Sequence, residues 1–256
     1  MDAKELDAIV ERAHEQAVTE IVAIGGTERA NRLALEAART HAGVHAVLGF
    51  DRDEAGREPD IPALRTMLSE PGVVGVGETG LDYHYSADTA AAQCALMERM
   101  LDAACDSGLP VVVHTRDAEA DTLSLLRNFT KRWQGESGLP GVIHCFTGDA
   151  AFARALMDLG MMISFSGIIT FKKADALREA LKVVPDDLLL IETDAPYLAP
   201  VPYRGKRNEP AYVRYVGEAA AAVRACPADQ LANITSTNAH RLFHRRVEVG
   251  TGPGAE

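Results

Sequence analysis

Short runs of β-branched and aliphatic residues alternate with longer amphipathic stretches along almost the whole chain. Leu6, Ile9, Val10, Ala13 and Ala17 recur at helical spacing, so the chain is expected to open on a helix. Buried strands are then expected at 20–26 (EIVAIGG), 44–50 (VHAVLGF), 73–78 (VVGVGE), 110–114 (PVVVH), 141–146 (GVIHCF), 161–166 (MMISFS) and 188–194 (LLLIETD). Helices are expected between them, among others at 90–107, 117–132, 150–159 and 174–184. Strands that are apolar almost throughout, with helices between them, mean a parallel sheet covered on both faces. The fold class is therefore α/β. The count of strands is about seven, one short of a closed eight-stranded barrel. Two architectures follow from the pattern: a doubly wound sheet, or a barrel whose first strand is missing from this chain.

Composition narrows the picture. A chain of 256 residues, 47% of them hydrophobic, can bury a substantial core. No composition shift marks a second domain, so residues 1–247 are expected to form one domain and 248–256 a disordered tail. There is no apolar run of about 18 residues, and so no expected membrane span. The first twenty residues carry charges throughout and lack the apolar centre of a secretory signal, which makes a cytoplasmic location the expectation. Four widely spaced cysteines without a CxxC pair fit a reducing compartment and core positions. A formal net charge of −11 excludes a protein that coats nucleic acid non-specifically. A phosphate-bearing substrate still fits if cations are concentrated at one site or supplied by metal.

Candidate chemistry gathers at the carboxyl ends of the strands, where the following loops of a parallel α/β fold converge. Glu78 closes VVGVGE, His114 closes VVVH, His144 lies in VIHCF and Asp194 closes LLLIETD. One such residue means little, but four would point into one mouth. Two imidazoles with carboxylates are a ligand set for zinc, iron or manganese. Such a cluster costs desolvation and repulsion unless a cation compensates it. Asp82, Arg116 and Asp117 follow these strand ends, and His84 shares the loop of Asp82. Arg204, Lys206 and Arg207 cluster in the loop PVPYRGKRNEP, a local anion site on an acidic chain. No GxSxG elbow supports a serine nucleophile, and no GxGxxG supports dinucleotide binding.

The strings GETGLDYH, VVVHTRDA, VIHCFTG, MMISFSG, IETDAPYLAPVPYRGKRNEP and TSTNAHRLF occur in order between about residues 75 and 243. In this the chain closely resembles the TatD family of metal-dependent deoxyribonucleases. The resemblance implies a (β/α)8 TIM-type barrel of the amidohydrolase kind, with divalent ions (Mg²⁺, Mn²⁺ or Zn²⁺), one or two per chain. It implies that Glu78 bridges two metals, that His114 and His144 bind the second, and that Asp194 binds the first and orients or deprotonates the attacking water. Arg204 and its neighbours would hold the substrate phosphate. Asp194 and Glu78 are the expected catalytic residues; Arg116, Asp82, Arg204 and Lys206 are the expected substrate-binding ones.

The chain departs from the family pattern in two places. The family's opening strand ends in an HxH pair, and this chain has no HxH anywhere. An open barrel would expose strand edges, so a start shortened by about 15–20 residues is the expectation. At the end of the third family strand, GxHP is replaced by Gly49-Phe50-Asp51-Arg52. The leading expectation is a hydrolase acting on DNA 3′ ends. The alternatives are an ester or amide hydrolase, such as an aminoacyl-tRNA deacylase, and a non-catalytic metal-binding homologue.

Overall fold

The computed structural model describes residues 3–243, so the expected tail at 248–256 lies outside the described residues. Seven parallel strands follow one another in chain order as one curled sheet: β1 (Ile21–Gly26), β2 (Val44–Phe50), β3 (Val73–Asp82), β4 (Val111–Arg116), β5 (Gly141–Ile143), β6 (Met162–Phe165) and β7 (Leu189–Ile191). Each strand pairs only with its sequence neighbours, and no ladder joins β7 to β1 among the described residues. The (β/α) alternation and the seven strands agree with a barrel lacking one strand.

The helices are α1 (Ala3–Glu15), α2 (Glu28–Thr40), α3 (Ile61–Met67), the single turn α4 (Tyr83–Ser86), α5 (Ala90–Ser107), α6 (Glu119–Thr130), α7 (Ala150–Met157), α8 (Asp175–Val183), α9 (Val213–Arg224) and α10 (Ala228–Phe243). No described helix is long and apolar enough to cross a membrane. The opening helix forms, with Val10 packed against Ala37 of α2 and Val44 of β2 and Leu6 beside them. It ends at Glu15, however, and Ala17, expected on it, lies beyond with φ 60°. Along the strands, side chains alternate between two buried faces. Ala46, Leu48, Val111, Val113, Ile143 and Ile163 join the core shared with helices α2 to α9. Val47, Val74, Val112, Val142, Met162 and Leu190 pack together on the other face with Leu242 of α10. Both faces are therefore apolar, which is why the strands read as continuous hydrophobic runs.

Two buried asparagines tie helices to strand ends. Asn31 of α2 accepts hydrogen bonds at Oδ1 from the Gly26 and Gly49 N–H groups (3.3 and 3.1 Å) and donates from Nδ2 to the Gly49 carbonyl at 2.9 Å. Asn238 of α10 donates to the Asp186 and Leu189 carbonyls at 2.6 and 2.8 Å, securing the entry to β7. Both satisfy backbone groups that burial would otherwise leave unpaired.

Strand boundaries shift from the expected ones where the site lies. β3 runs on to Asp82, because Thr79, Gly80, Leu81 and Asp82 pair with Val113, His114, Thr115 and Arg116 of β4. The register slips between Val76 and Thr79, a bulge that includes Glu78. Bulges re-aim a side chain, and Glu78 is the one residue of β3 that is not buried. Gly80 allows the close β3–β4 approach: with φ +145°, a Cβ there would lie 1.9 Å from the His114 carbonyl oxygen. β5 stops at Ile143 and β7 at Ile191, shorter than the hydrophobic runs suggest. Beyond them Cys145 and Asp194 take left-handed backbone angles (φ 44° and 58°), which no regular strand accommodates.

Candidate metal centre

The strand parity that builds the core also aims the site. His114 follows Val112 by two residues, His144 follows Val142 and Glu192 follows Leu190, so all three continue the face of the second apolar cluster. Glu78 joins them from the β3 bulge. Its Oε1 lies 3.2 Å from His144 Nε2 and 3.6 Å from His114 Nδ1. One donor atom from each of Glu78, His114 and His144 falls within 4.8 Å of the others. Asp194 is not in this trio; it belongs with His144 and Glu192 in a second group of the same tightness. The four residues expected at one mouth thus form two overlapping trios that share His144, and Glu192 is the added member.

Each imidazole has a carboxylate behind it. Asp82 Oδ2 lies 3.2 Å from His114 Nε2, while its Oδ1 accepts the Tyr85 N–H at 3.0 Å. Gln93 of α5 holds this segment by accepting from Asp82 N–H at 2.7 Å and donating to the carbonyls of Asp82 and Ser86. Glu192 Oε1 lies 3.3 Å from His144 Nδ1 and accepts the Cys145 N–H at 3.0 Å. An ionised carboxylate only accepts, so the proton sits on the ring nitrogen that faces it. His114 Nδ1 and His144 Nε2 are then the nitrogens turned toward Glu78. Backing carboxylates of this kind fix tautomer and ring orientation in metal-binding histidines.

The electrostatics are those of a site built around positive charge. Burial alone would raise the Glu78 carboxyl, but His144, His114 and Arg52 outweigh it and hold it at about 2. Burial pushes the other way on His144, yet Glu78 and Glu192 keep its pKa well above the ordinary imidazole value. Burial and the charge on His144 lower His114 to about 4. Desolvation lifts Asp194 to about 6, aided by Glu192 and Glu78. The donor set also passes a geometric test for a cation: His144 Nε2 is buried without a hydrogen-bond partner, although the Glu78 oxygen is near. A buried lone-pair nitrogen in that position calls for a cation or a hydrogen-bond donor. Glu78, His114 and His144 could therefore hold a divalent metal.

The residues expected to handle substrate are distributed unevenly. Asp82 is only 1% exposed and is engaged with His114 and Tyr85, so it faces the imidazole rather than the mouth. Arg116 stacks over the exposed Tyr85 ring at 4.8 Å. His84 and Asp117 pair with each other at 3.0 Å. Arg204 lies over Phe171 at 4.3 Å and Lys206 over Tyr203 at 5.5 Å, both exposed on the loop that follows β7. Buried Asn208 holds that loop in shape by donating to the Thr193 and Tyr197 carbonyls. Arg207 is paired with Glu5 of α1. Arg204 and Lys206 make no ion pair with the trio among the described residues.

Two residues at the centre, Glu192 and Arg52, have no role assigned from the sequence. Glu192 was legible in principle, since period-two spacing from Leu190 places it on the face of the site. Arg52, in the GFDR departure, reaches across from the loop after β2: Nη1 is 3.7 Å from Glu78 Oε1 and Nε is 3.5 Å from Asp82 Oδ2. That contact depends on the β3 bulge, which no local pattern announces.

Comparison with known proteins agrees with the geometry. The model of the TatD related DNase family matches residues 1–244. An uncharacterized metal-dependent hydrolase of Escherichia coli, YcfH, is 48% identical over 185 residues, covering 72% of this chain and 68% of the relative. The 3′-5′ ssDNA/RNA exonuclease TatD of Musicola paradisiaca is 34% identical over 246 residues, covering 93% and 91%. Among solved structures, the TatD homologue YJJV of Escherichia coli superposes with a TM-score of 0.87 at 26% identity over 94% of this chain and 92% of that one. A curled parallel sheet, a carboxylate–imidazole centre at its carboxyl edge and a family match over nearly the whole length lead to one conclusion: this chain belongs to the TatD family of metal-dependent hydrolases.

Proposed function

We propose that the protein hydrolyses phosphodiester bonds at the 3′ ends of DNA, using one divalent ion held by Glu78, His114 and His144. The observation that carries this reading is the buried, unbonded Nε2 of His144 beside the Glu78 carboxylate and His114. The nucleic-acid substrate is supported by the exonuclease name of the Musicola relative. Either Mg²⁺, Mn²⁺ or Zn²⁺ suits a mixed carboxylate–imidazole set. Such an ion, when bound, lowers the pKa of water and polarises a phosphoryl oxygen.

The protein's own groups do the rest. Asp82 and Glu192 hold the two imidazoles in the tautomers that face Glu78. Asp194, whose carboxyl burial lifts to about 6, takes a proton from the attacking water near neutral pH. Arg116, Arg204 and Lys206 would supply the cations that a phosphate chain needs on a protein of overall −11 charge. The second group of donors, His144, Glu192 and Asp194, shares His144 with the first, so the reading assigns one ion to the first.

The test uses single-stranded DNA labelled at either end, with Mg²⁺ or Mn²⁺ added to purified protein. Label at the 3′ end should be released as mononucleotide first, and Glu78→Ala protein should lose activity by about three orders of magnitude, the scale of losing a group that acts in the transition state. No release from either end under any of these ions would sink the nuclease reading.

A further inference from the structure

The structure assigns Arg52 a role at the metal centre: we propose that its guanidinium is the anion-binding group of the site, taking a phosphoryl oxygen of the substrate beside the ion. This rests on the proposed phosphodiester substrate and adds a residue that the chain's resemblance to its family does not supply.

Placement comes first. β2 ends at Phe50, and the Asp51 N–H donates to the Gly26 carbonyl at 2.9 Å, fixing the chain against β1. Asp51 then caps the short turn Arg52–Glu54 by accepting the Asp53 N–H at 2.8 Å. The backbone of Arg52 is thereby held at the carboxyl edge of the sheet, where the reactive groups of a parallel barrel gather. From there the side chain crosses to β3, with its nitrogens 3.7 Å from Glu78 Oε1 and 3.5 Å from Asp82 Oδ2. The Glu78 oxygen is the same one that faces both imidazoles. An anion drawn to an ion at that oxygen therefore meets the guanidinium as well.

The contacts are also the wrong kind for a purely structural counter-ion. An arginine that serves a carboxylate structurally makes short, often bidentate hydrogen bonds of about 2.7–2.9 Å. Here the approaches are near 3.5 Å and longer, and among the described residues no protein acceptor takes a hydrogen bond from Arg52. The side chain is four-fifths buried, its exposure only 20%. A planar fork of five donors is thus held in an anionic field, with its hydrogen-bonding capacity unspent and an opening to the mouth. Phosphate is the ligand that such a fork fits.

Two titrations test this, with inorganic phosphate and Mn²⁺ as probes, on wild type, Arg52→Gln and Arg52→Lys, each checked for an unchanged melting transition. Removing a neighbouring cation should leave Mn²⁺ binding as tight or tighter in Arg52→Gln. Phosphate binding should weaken by about tenfold or more, the scale of a lost charge-assisted hydrogen bond, with Arg52→Lys between. A structural arginine would instead weaken both ligands together, and that outcome, like an unchanged phosphate affinity in Arg52→Gln, overturns the proposal. Running the phosphate titration without Mn²⁺ separates the two claims. If no protein binds Mn²⁺, the metal reading falls, while a tenfold loss of phosphate binding in Arg52→Gln still supports Arg52.

Discussion

At the scale of single residues, the site is a chain of carboxylate–imidazole pairs converging on one oxygen of Glu78. Asp82 stands behind His114 and Glu192 behind His144. Backing groups of this type typically contribute about 10–100-fold to metal affinity. Glu192→Ala should therefore weaken Mn²⁺ binding by that factor, read by calorimetric titration, while far-ultraviolet circular dichroism stays unchanged. Equal affinity in the variant would mean that Glu192 serves the Cys145 N–H alone. The sequence made Glu78, His114 and His144 legible because each stands out as a polar residue closing an apolar strand. It hid Glu192, which sits beside Thr193 and Asp194 where one acidic residue looks like another. It hid Arg52 as well, because nothing near GFDR states which carboxylates will face it after folding.

At the scale of elements, the strand ends must be held still for these distances to persist. Asn31 alone links α2 to the ends of β1 and β2 by three hydrogen bonds, all buried. Asn31→Leu would leave two N–H groups and a carbonyl without partners, and should cost about 2–4 kcal/mol of stability by denaturant unfolding. A loss under about 0.5 kcal/mol, the scale of an ordinary surface substitution, would show that water replaces the side chain freely. Gly80→Ala tests the β3–β4 contact in the same way, since the added Cβ meets the carbonyl of His114 itself. It should lower both melting temperature and Mn²⁺ affinity; a variant with normal metal binding would separate the β3–β4 contact from the site. Element positions were readable from hydrophobic runs, and their ends were not. β3 extends because β4 offers partners, whereas β5 and β7 stop where left-handed residues turn the backbone. Pairing and backbone reversal are long-range outcomes that a window of neighbouring residues does not contain.

At the scale of the whole molecule, the proposed nuclease reading asks an acidic protein to receive a polyanion. Its charge of −11 opposes approach, and the proposed reading sets the cations Arg116, Arg204 and Lys206 against it. Each phosphate contact contributes a slope of about −0.7 to the dependence of log affinity on log salt for single strands. The double variant Arg204→Ala, Lys206→Ala should therefore flatten that slope by about 1.4 for single-stranded DNA, with Mn²⁺ affinity unchanged. An unaltered slope would place the nucleic acid elsewhere. The parallel α/β class was legible from apolar strands and intervening helices, but their pattern alone left barrel and doubly wound sheet open. The consecutive strand order resolves that question, since a doubly wound sheet reverses its order at a switch point.

The central claim is that Glu78, His114 and His144 together hold one catalytic ion. Mn²⁺ titration followed by electron paramagnetic resonance, on wild type and His144→Ala, tests it most directly. One tightly bound Mn²⁺ per wild-type chain, lost in His144→Ala, is the predicted result. Undiminished binding in His144→Ala, or none in the wild type, would contradict it.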